Sequence, residues 1–364
     1  MNRVFLARAS FRSPRVPKIY SPRNLSNHAP KDSKSSRSTS VAVAAALGGA
    51  TLVSAYFFWP DNSRSAPTYG HAKLSPTHFT PVTVTASEPT TNPNARLVTL
   101  RVPQQSLPDT HDASFSSIWS IYIKDDDIQV ERPYTPLEGI DEHGNMKFWI
   151  KRYPKGEVGR WILSKEVGDQ IEIRGPLKTW PWQEEQWDEI VMVSGGTGIT
   201  PFYQLLHHGL FSRSPESLSK TRFTLLHSFR TPEELPPPEI IEPIISYAET
   251  HPTRLDFSLY VDSLNGDNAS SIARRGLQEG RIGRRALETA IGIDVDSSWW
   301  QRLCRSRRLT QRVSTSDRKV LFLVCGPEPM VAAIAGPFGR NMSQGPVGGI
   351  LGEMGYKSDQ VWKL

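Results

Sequence analysis

The sequence predicts a β + α/β protein, with a domain of short antiparallel strands followed by a doubly wound parallel sheet. Between residues 75 and 187, short runs rich in β-branched and aromatic residues alternate with turn residues, which is typical of an antiparallel barrel or sandwich. After residue 188, four apolar runs have the composition of buried parallel strands, and helical patterns separate them. The chain has 364 residues, a length that favours two domains over one core.

Residues 1–40 form a basic leader ahead of both domains. They carry nine Arg or Lys residues and a single acid, Asp32, so the remainder of the chain has a net charge of −2 although the whole chain has +6. A leader rich in Arg and Ser and poor in acids is typical of a mitochondrial transit peptide; a disordered basic tail has the same composition. Because the excess charge belongs to the leader, we expect no nucleic-acid partner.

Residues 41–59 are an apolar run of nineteen residues without a charge. At a rise of about 1.5 Å per residue, a helix of this length just crosses a hydrocarbon layer of about 30 Å. Tyr56 and Trp59 suit the membrane interface, and Pro60 ends the run. We therefore expect one transmembrane helix with its basic side toward the matrix, followed by a polar linker over residues 60–74.

A glycine-rich turn follows the apolar run 189–193. Gly195, Gly196 and Gly198 lie within four residues, and Pro201 opens a helical pattern. In an open α/β sheet this arrangement builds a phosphate site, because glycines let a pyrophosphate approach the backbone and the helix start offers free N–H groups. The spacing differs from the usual G-x-G-x-x-G fingerprint, and an ordinary strand-to-helix turn is the alternative.

Two further motifs decide between these interpretations. The apolar run 320–324 is followed by Cys325-Gly326-Pro327-Glu328-Pro329-Met330, and the glycine turn is preceded by Arg132-Pro133-Tyr134-Thr135. In this order the three motifs resemble those of the ferredoxin–NADP reductase superfamily, in its NADH–cytochrome b5 reductase branch. The resemblance covers about residues 75–364. It implies a six-stranded FAD-binding barrel over residues 75–187 and an NAD(P)-binding domain over residues 188–364, with a basic insertion at about residues 265–319.

The upstream motif has the chemistry that a flavin site needs. An Arg fork matches a pyrophosphate, a Tyr stacks on a flat ring, and a Thr hydroxyl tunes flavin electronics; a surface strand end with an aromatic residue is the alternative. The resemblance implies that Arg132 binds the FAD pyrophosphate, that Tyr134 packs on the flavin, and that Thr135 contacts its reactive edge as a catalytic residue. Further FAD contacts are implied for Pro133, Tyr153, Gly156, Val158 and Gly159.

Two features depart from the family pattern. Gly159 stands where Ser is usual, so the backbone N–H survives but a hydroxyl contact is lost. The family's Gly-Gln-Phe/Tyr segment is missing, and Ser120-Ile121-Tyr122 stands in that region. We expect both features to weaken FAD binding, with Arg152 and Arg160 as electrostatic compensation.

The resemblance places the nicotinamide near Cys325. We expect this catalytic-site residue to position the nucleotide rather than to act as a nucleophile, because no base motif accompanies it; a buried small residue is the plainer interpretation. Arg230 suits either the 2′-phosphate of NADPH or an exposed loop charge, so NADH and NADPH both stay open. Trp362 is expected near one of the two rings. The implied NAD(P)-binding residues are Gly195, Gly196, Thr197, Gly198, Thr200, Pro201, Cys325, Gly326, Pro327, Met330 and Trp362.

The leader, the apolar run and the ending Val-Trp-Lys-Leu at residues 361–364 resemble those of the fungal cytochrome c import factors within this branch. That resemblance implies an enzyme of the mitochondrial inner membrane that faces the intermembrane space. Its role there would be to reduce haem for covalent attachment to apocytochrome c, with apocytochrome c or a haem lyase as partner.

Two other functions stay open, namely an NADH–cytochrome b5 reductase and a non-catalytic assembly factor with a flavin fold. No cluster of His, Cys, Asp or Glu has metal-ligand spacing, so we expect no bound metal. The insertion, which includes Trp299 and Trp300, suits either an exposed loop or a docking surface for an acidic partner or anionic lipid.

Overall fold

The computed structural model describes residues 66–108, 115, 118–126, 129–154, 156–181, 186–213, 220–264, 277–292 and 318–364. The predicted leader, the predicted transmembrane helix at 41–59 and most of the insertion at 265–319 lie outside the described residues. Among the described helices, none is both long and apolar enough to cross a bilayer.

Six antiparallel strands form the first sheet, in the order β4–β3–β6–β1–β2–β5. Alternate residues of β1 are buried, as expected for a strand with one face on a core. Beyond β4, Leu137 N donates a hydrogen bond of 2.9 Å to Lys147 O of β5, which joins the two edges of the sheet. The strands are β1 (Thr80–Pro89), β2 (Ala95–Arg101), β3 (Ile118–Lys124), β4 (Glu131–Tyr134), β5 (Asn145–Lys151) and β6 (Gln170–Trp180).

Six parallel strands form the second sheet, in the order β10–β9–β8–β7–β11–β12. The strands β7 and β11 are apolar throughout their centres because both of their faces are covered. The predicted antiparallel and parallel sheets are thus confirmed. The strands are β7 (Glu189–Gly195), β8 (Arg222–Phe229), β9 (Leu255–Val261), β10 (Leu277–Glu279), β11 (Val320–Cys325) and β12 (Val361–Lys363).

Six α-helices accompany the strands in the described residues. One of them, α1, belongs to the antiparallel half, and the others connect strands of the parallel sheet. The helices are α1 (Glu157–Ser164), α2 (Thr200–Leu206), α3 (Pro238–Thr250), α4 (Arg284–Ala290), α5 (Glu328–Ala335) and α6 (Gly349–Glu353).

The strand order places a topological switch point at β7. From β7 the chain proceeds outward to β8, β9 and β10, and then returns to β11 on the other side of β7. The connections that leave β7 and β11 therefore diverge, and they open a crevice at the carboxyl ends of these two strands. Ligands of open α/β sheets bind in crevices of this kind.

The two sheets share one continuous hydrophobic core. Trp149 and Trp180 of the antiparallel half pack in the same cluster as Met192, Phe202 and Leu323 of the parallel half. A second cluster fills the interior of the antiparallel half, and a third covers the opposite face of the parallel sheet. Because close-packed cores are stiff, this shared core fixes the position of one sheet relative to the other.

Candidate active site

A cavity of about 710 Å³ lies between the two sheets. Its volume is in the range of small-molecule and cofactor sites. Both the upstream motif and the glycine turn contribute to its walls, so the structure brings together residues that are far apart in sequence. The predicted site residues in the lining are Arg132, Pro133, Tyr134, Thr135, Tyr153, Gly156, Val158, Gly159, Gly195, Thr197, Gly198, Thr200, Pro201, Cys325, Gly326 and Pro327.

Strand β4 supplies basic and aromatic groups to the side of the cavity that the antiparallel half forms. The exposed Arg132 is anchored by one hydrogen bond, in which Nη1 donates to Glu131 O at 2.8 Å. Burial raises the pKa of the Tyr134 hydroxyl to about 12, although the Arg132 guanidinium lowers it. Tyr134 is therefore neutral at physiological pH, and its ring and hydroxyl are available for a flat cofactor.

Helix α1 explains why glycine is tolerated at position 159. Its first residues line the cavity, and no side chain caps its N-terminal N–H groups, which suits a phosphate group. A Cβ added at Gly159 would lie 3.1 Å from Lys151 O and 3.8 Å from Tyr134 Oη. The helix therefore packs closely against the end of β5, and a serine at this position would be crowded.

The glycines of the turn after β7 have different roles. A Cβ at Gly198 would lie 2.4 Å from Cys325 O, and one at Gly195 would lie 2.6 Å from Met330 Sδ. These two glycines let the turn pack against the end of β11 and the first turn of α5. A Cβ at Gly196 would meet only Tyr153 Oη, at 3.7 Å, and the residue has a φ of +55°. At Gly196, therefore, the position that a side chain would take is open and points toward Tyr153 of the antiparallel half.

Cys325 lines the cavity at the end of β11 and packs partly against the shared core. Although the residue is not fully covered, burial raises the pKa of its thiol to about 12. A protonated thiol is a poor nucleophile, which agrees with the expected positioning role.

Three predicted site residues are not part of the lining. Met330 packs beneath Gly195 and Gly326. Gly196 lies in the turn itself, beside the lining residues Gly195 and Thr197. Trp362 packs against the shared core, and Leu364 reaches the cavity from the same chain end.

The lining also contains residues that were not predicted. Several follow the period of two that a strand imposes on side chains facing one side. Ser120 and Tyr122 alternate on β3, and Leu177 and Thr179 alternate on β6. This alternation is visible in the sequence, where the Ser120–Tyr122 segment differs from the family pattern. The remaining additions are Phe148, Trp149, Lys151, Glu157 and Leu364.

Polar contacts near the cavity connect the two halves. Tyr153 Oη and Thr197 Oγ1 are 3.2 Å apart and share a hydrogen bond. Lys151 Nζ, at the end of β5, pairs with Glu234 Oε1 at 3.0 Å, and both side chains are largely buried. Glu234 also accepts two hydrogen bonds from the guanidinium of Arg230, of 2.5 and 3.2 Å. Burial acts to raise the pKa of Glu234, but the bonds from Arg230 and Lys151 outweigh it and lower the pKa.

These residues fit two nucleotide cofactors. One side of the cavity is lined by Arg132, Tyr134 and the uncapped start of α1, and the other by the glycine turn at Gly195, Thr197 and Gly198. This donor set matches pyrophosphates and flat rings. In the described part of the chain, no group of three His, Cys, Asp or Glu side chains could hold a metal ion.

Comparisons with known proteins agree with the geometry. Residues 90–182 match the oxidoreductase FAD-binding domain, and residues 192–336 match the oxidoreductase NAD-binding domain. NADH-cytochrome b5 reductase 2 of Meyerozyma guilliermondii is 30% identical over 235 residues, which are 65% of this chain and 68% of that protein. The chain belongs to the cytochrome b5 reductase branch of the ferredoxin–NADP reductase superfamily.

A second relative and a solved structure are also similar to this chain. NADH-cytochrome b5 reductase 2 of Mycosarcoma maydis is 28% identical over 294 residues, which cover 80% of this chain and 74% of that protein. The cytochrome b5 reductase domain of Ulva prolifera nitrate reductase has the same fold, with a TM-score of 0.56 and 18% identity over 80% of this chain and 100% of that chain. The protein is an FAD-dependent NADH oxidoreductase, and the alternative of a non-catalytic assembly factor is not supported.

Proposed function

We propose that this reductase transfers electrons from NADH through FAD to haem iron, and that it does so from an anchor in the mitochondrial inner membrane. The observation that carries the proposal is that the Arg132–Thr135 motif and the glycine turn line the same cavity. Bound FAD would accept a hydride from NADH and release electrons one at a time to iron. The chain itself has to hold and orient the two cofactors.

Each wall of the cavity has a task in that chemistry. Arg132 and the start of α1 neutralise the charge of the FAD pyrophosphate. Tyr134 and Thr135 hold the ring, and Thr197 with Cys325 borders the side where the nicotinamide enters. Phe148, Trp149 and Leu177 line the interior with apolar surface, which excludes water from the place of hydride transfer.

The relatives' names support a haem protein as the electron acceptor. NADH-cytochrome b5 reductases take their name from cytochrome b5, and this acceptor is one candidate. The basic leader and the uncharged run at 41–59 support the other candidate, which is ferric haem destined for apocytochrome c in the intermembrane space. Because the leader and the uncharged run support a position in the inner membrane, we favour the second candidate.

Protease treatment of isolated mitochondria tests the proposed location. If the catalytic domain faces the intermembrane space, protease should leave it intact in whole mitochondria and digest it once the outer membrane is ruptured. A matrix protein serves as the protected control. A catalytic domain that survives in ruptured organelles would place it in the matrix and contradict the proposal.

Rapid mixing of NADH-reduced enzyme with each acceptor separates the two candidates. We expect faster oxidation of the enzyme by ferric haem presented with apocytochrome c than by cytochrome b5. The reverse order would assign the enzyme to cytochrome b5 reduction. Absence of transfer to either acceptor would contradict a haem acceptor altogether.

A further inference from the structure

Helix α2 carries a buried polar side chain that the reaction does not use. The helix begins directly after the glycine turn, and its first residues, Thr200 and Pro201, line the cavity. One turn further, Gln204 is only 3% exposed. Its neighbours on the helix, Phe202, Leu205 and Leu206, are apolar members of the shared core.

Both hydrogen bonds of Gln204 cross to the flavin half. Its Nε2 donates to Pro136 O at 2.9 Å, and its Oε1 accepts from Trp119 N at 2.9 Å. The partners are 68 and 85 residues away in sequence. A buried amide in an apolar surrounding is costly unless it is fully paired, and here the oxygen and the nitrogen each have a partner.

The register of the sheet explains why those two backbone groups need a partner. Strands β3 and β4 pair antiparallel, with Ile121 opposite Tyr134. The same register, continued by two residues, would place Trp119 opposite Pro136. Strand β4 ends at Tyr134, so the ladder between β3 and β4 does not extend to these two residues. The Gln204 carboxamide lies between the two residues and replaces the backbone hydrogen bonds of a strand. Its oxygen accepts from Trp119 N, and its nitrogen donates to Pro136 O.

The bridged segment is the one that holds the flavin motif. Pro136 follows Thr135 directly, and Thr135 lines the cavity. The same helix therefore presents Thr200 to the nicotinamide side and fixes the backbone beyond Thr135 on the flavin side. Tyr203 adds a weaker link, since its Oη lies 3.4 Å from Glu138 Oε1.

We propose that Gln204 is a positioning residue that sets the separation between the flavin and the nicotinamide. The proposal rests on the proposed function, because it assigns FAD to the Thr135 side and NADH to the glycine turn. The shared hydrophobic core already holds the sheets together. The two hydrogen bonds of Gln204 fix the position of the Thr135 backbone relative to helix α2. This position matters because hydride transfer is sensitive to small displacements of the reacting groups.

Anaerobic single-turnover reduction of Gln204→Met by NADH tests the proposal. Met has a similar length and cannot bridge the two backbone groups. We expect the limiting rate of flavin bleaching at saturating NADH to fall at least ten-fold, while FAD content and the dissociation constant of NADH stay within two-fold. With NADH deuterated at C4, the isotope effect on bleaching should rise, because hydride transfer becomes more rate-limiting.

Two further variants distinguish positioning from general destabilisation. Gln204→Glu keeps the acceptor for Trp119 N but loses the donor to Pro136 O, so its bleaching rate should also fall. Thr224→Val removes another buried hydrogen bond, which Thr224 donates to Glu189 at the amino end of β7, away from the cavity. This variant should be bleached at the wild-type rate even if it melts at a lower temperature.

A Gln204→Met rate within two-fold of wild type would overturn the proposal. Colourless Gln204→Met and Gln204→Glu proteins would also overturn it, because they would assign Gln204 to flavin retention. If the wild-type protein itself bound FAD but was not bleached by NADH, the proposed function would fail instead.

Discussion

At the scale of single residues, Gly196 and Gly198 show that neighbouring glycines of one motif can be needed for unrelated reasons. Gly198 has no room for a side chain, because a Cβ would lie 2.4 Å from the carbonyl oxygen of Cys325. Gly196 has room, and its φ of +55° is the restraint instead. Only Gly196 has its missing side chain directed at open space near Tyr153.

Valine substitutions should separate these two roles. Gly196→Val should keep FAD and fold, because its surroundings are open, but the strained backbone and new side chain should block nucleotide approach and lower NADH reduction at least ten-fold. Gly198→Val should destabilise the protein, because backbone cannot move away from the new Cβ. Flavin absorbance, thermal melting and NADH titration measure the difference. A Gly196→Val protein reduced at the wild-type rate and NADH dependence would contradict the assignment of this turn.

His227 is a second residue whose surroundings decide its chemistry. It is fully buried on β8, where its Nδ1 lies 2.8 Å from Ser194 Oγ. Burial lowers the pKa of the imidazole to about 3. The ring is neutral in the folded protein, whereas in the unfolded chain it has an ordinary pKa of about 6.5.

Because of His227, the free energy of unfolding should decrease as the pH is lowered. Below pH 6.5 His227 is protonated in the unfolded chain but stays neutral in the folded protein, so stability is lost as the pH drops toward 3. Between pH 7.5 and 5.0 the wild type should lose about 2 kcal/mol more unfolding free energy than His227→Leu. Urea unfolding at the two pH values measures this difference. Equal losses in the two proteins would show that His227 is not the group responsible.

At the scale of elements, the end of β5 is tied to the turn after β8. Lys151 of β5 and Arg230 share the carboxylate of Glu234. In dinucleotide-binding folds, an acid near this strand end bonds the ribose 2′-OH of NADH, and a free Arg accommodates the 2′-phosphate of NADPH. Here the acid holds Arg230, so we expect a preference for NADH.

Steady-state kinetics with both nucleotides test this expectation. The wild type should have a kcat/KM for NADH at least ten-fold above that for NADPH, and Glu234→Gln should narrow the ratio several-fold, because it removes the charge that repels a 2′-phosphate. Glu233→Gln, in the same turn, is the matched control and should leave the ratio unchanged. Equal use of NADH and NADPH by the wild type would contradict this assignment.

At the scale of the whole molecule, patterns local in sequence predicted the fold well. Strand periodicity and apolar runs identified both sheets, and three motifs identified residues that line one cavity. The bonds between the halves were not predictable, because each joins groups far apart in sequence. Nothing in the local sequence distinguishes Gln204 from its neighbours on the helix, or Glu234 from Glu233 beside it. Their roles depend on which backbone or side chain the fold brings beside them.

A docking surface in the insertion, one of two interpretations beside an exposed loop, stays a hypothesis. Residues 293–317 lie outside the described residues, but their flanks are placed. Arg318 Nη2 donates to Ile291 O at 2.6 Å and pairs with Glu189 at the start of β7. Glu189 lies at the amino end of β7, whereas the cavity lies at the carboxyl ends of β7 and β11. An acceptor that binds near the flanks would therefore be far from the flavin.

The central claim is that one cavity holds FAD and receives NADH. Every site residue lies after residue 119, so a protein of residues 61–364 should be soluble and yellow. Mixed anaerobically with NADH in a stopped-flow instrument, it should lose its flavin absorbance in one turnover, while Arg132→Ala should be purified without FAD. A colourless wild-type domain, or a yellow one that NADH does not bleach, would contradict the account.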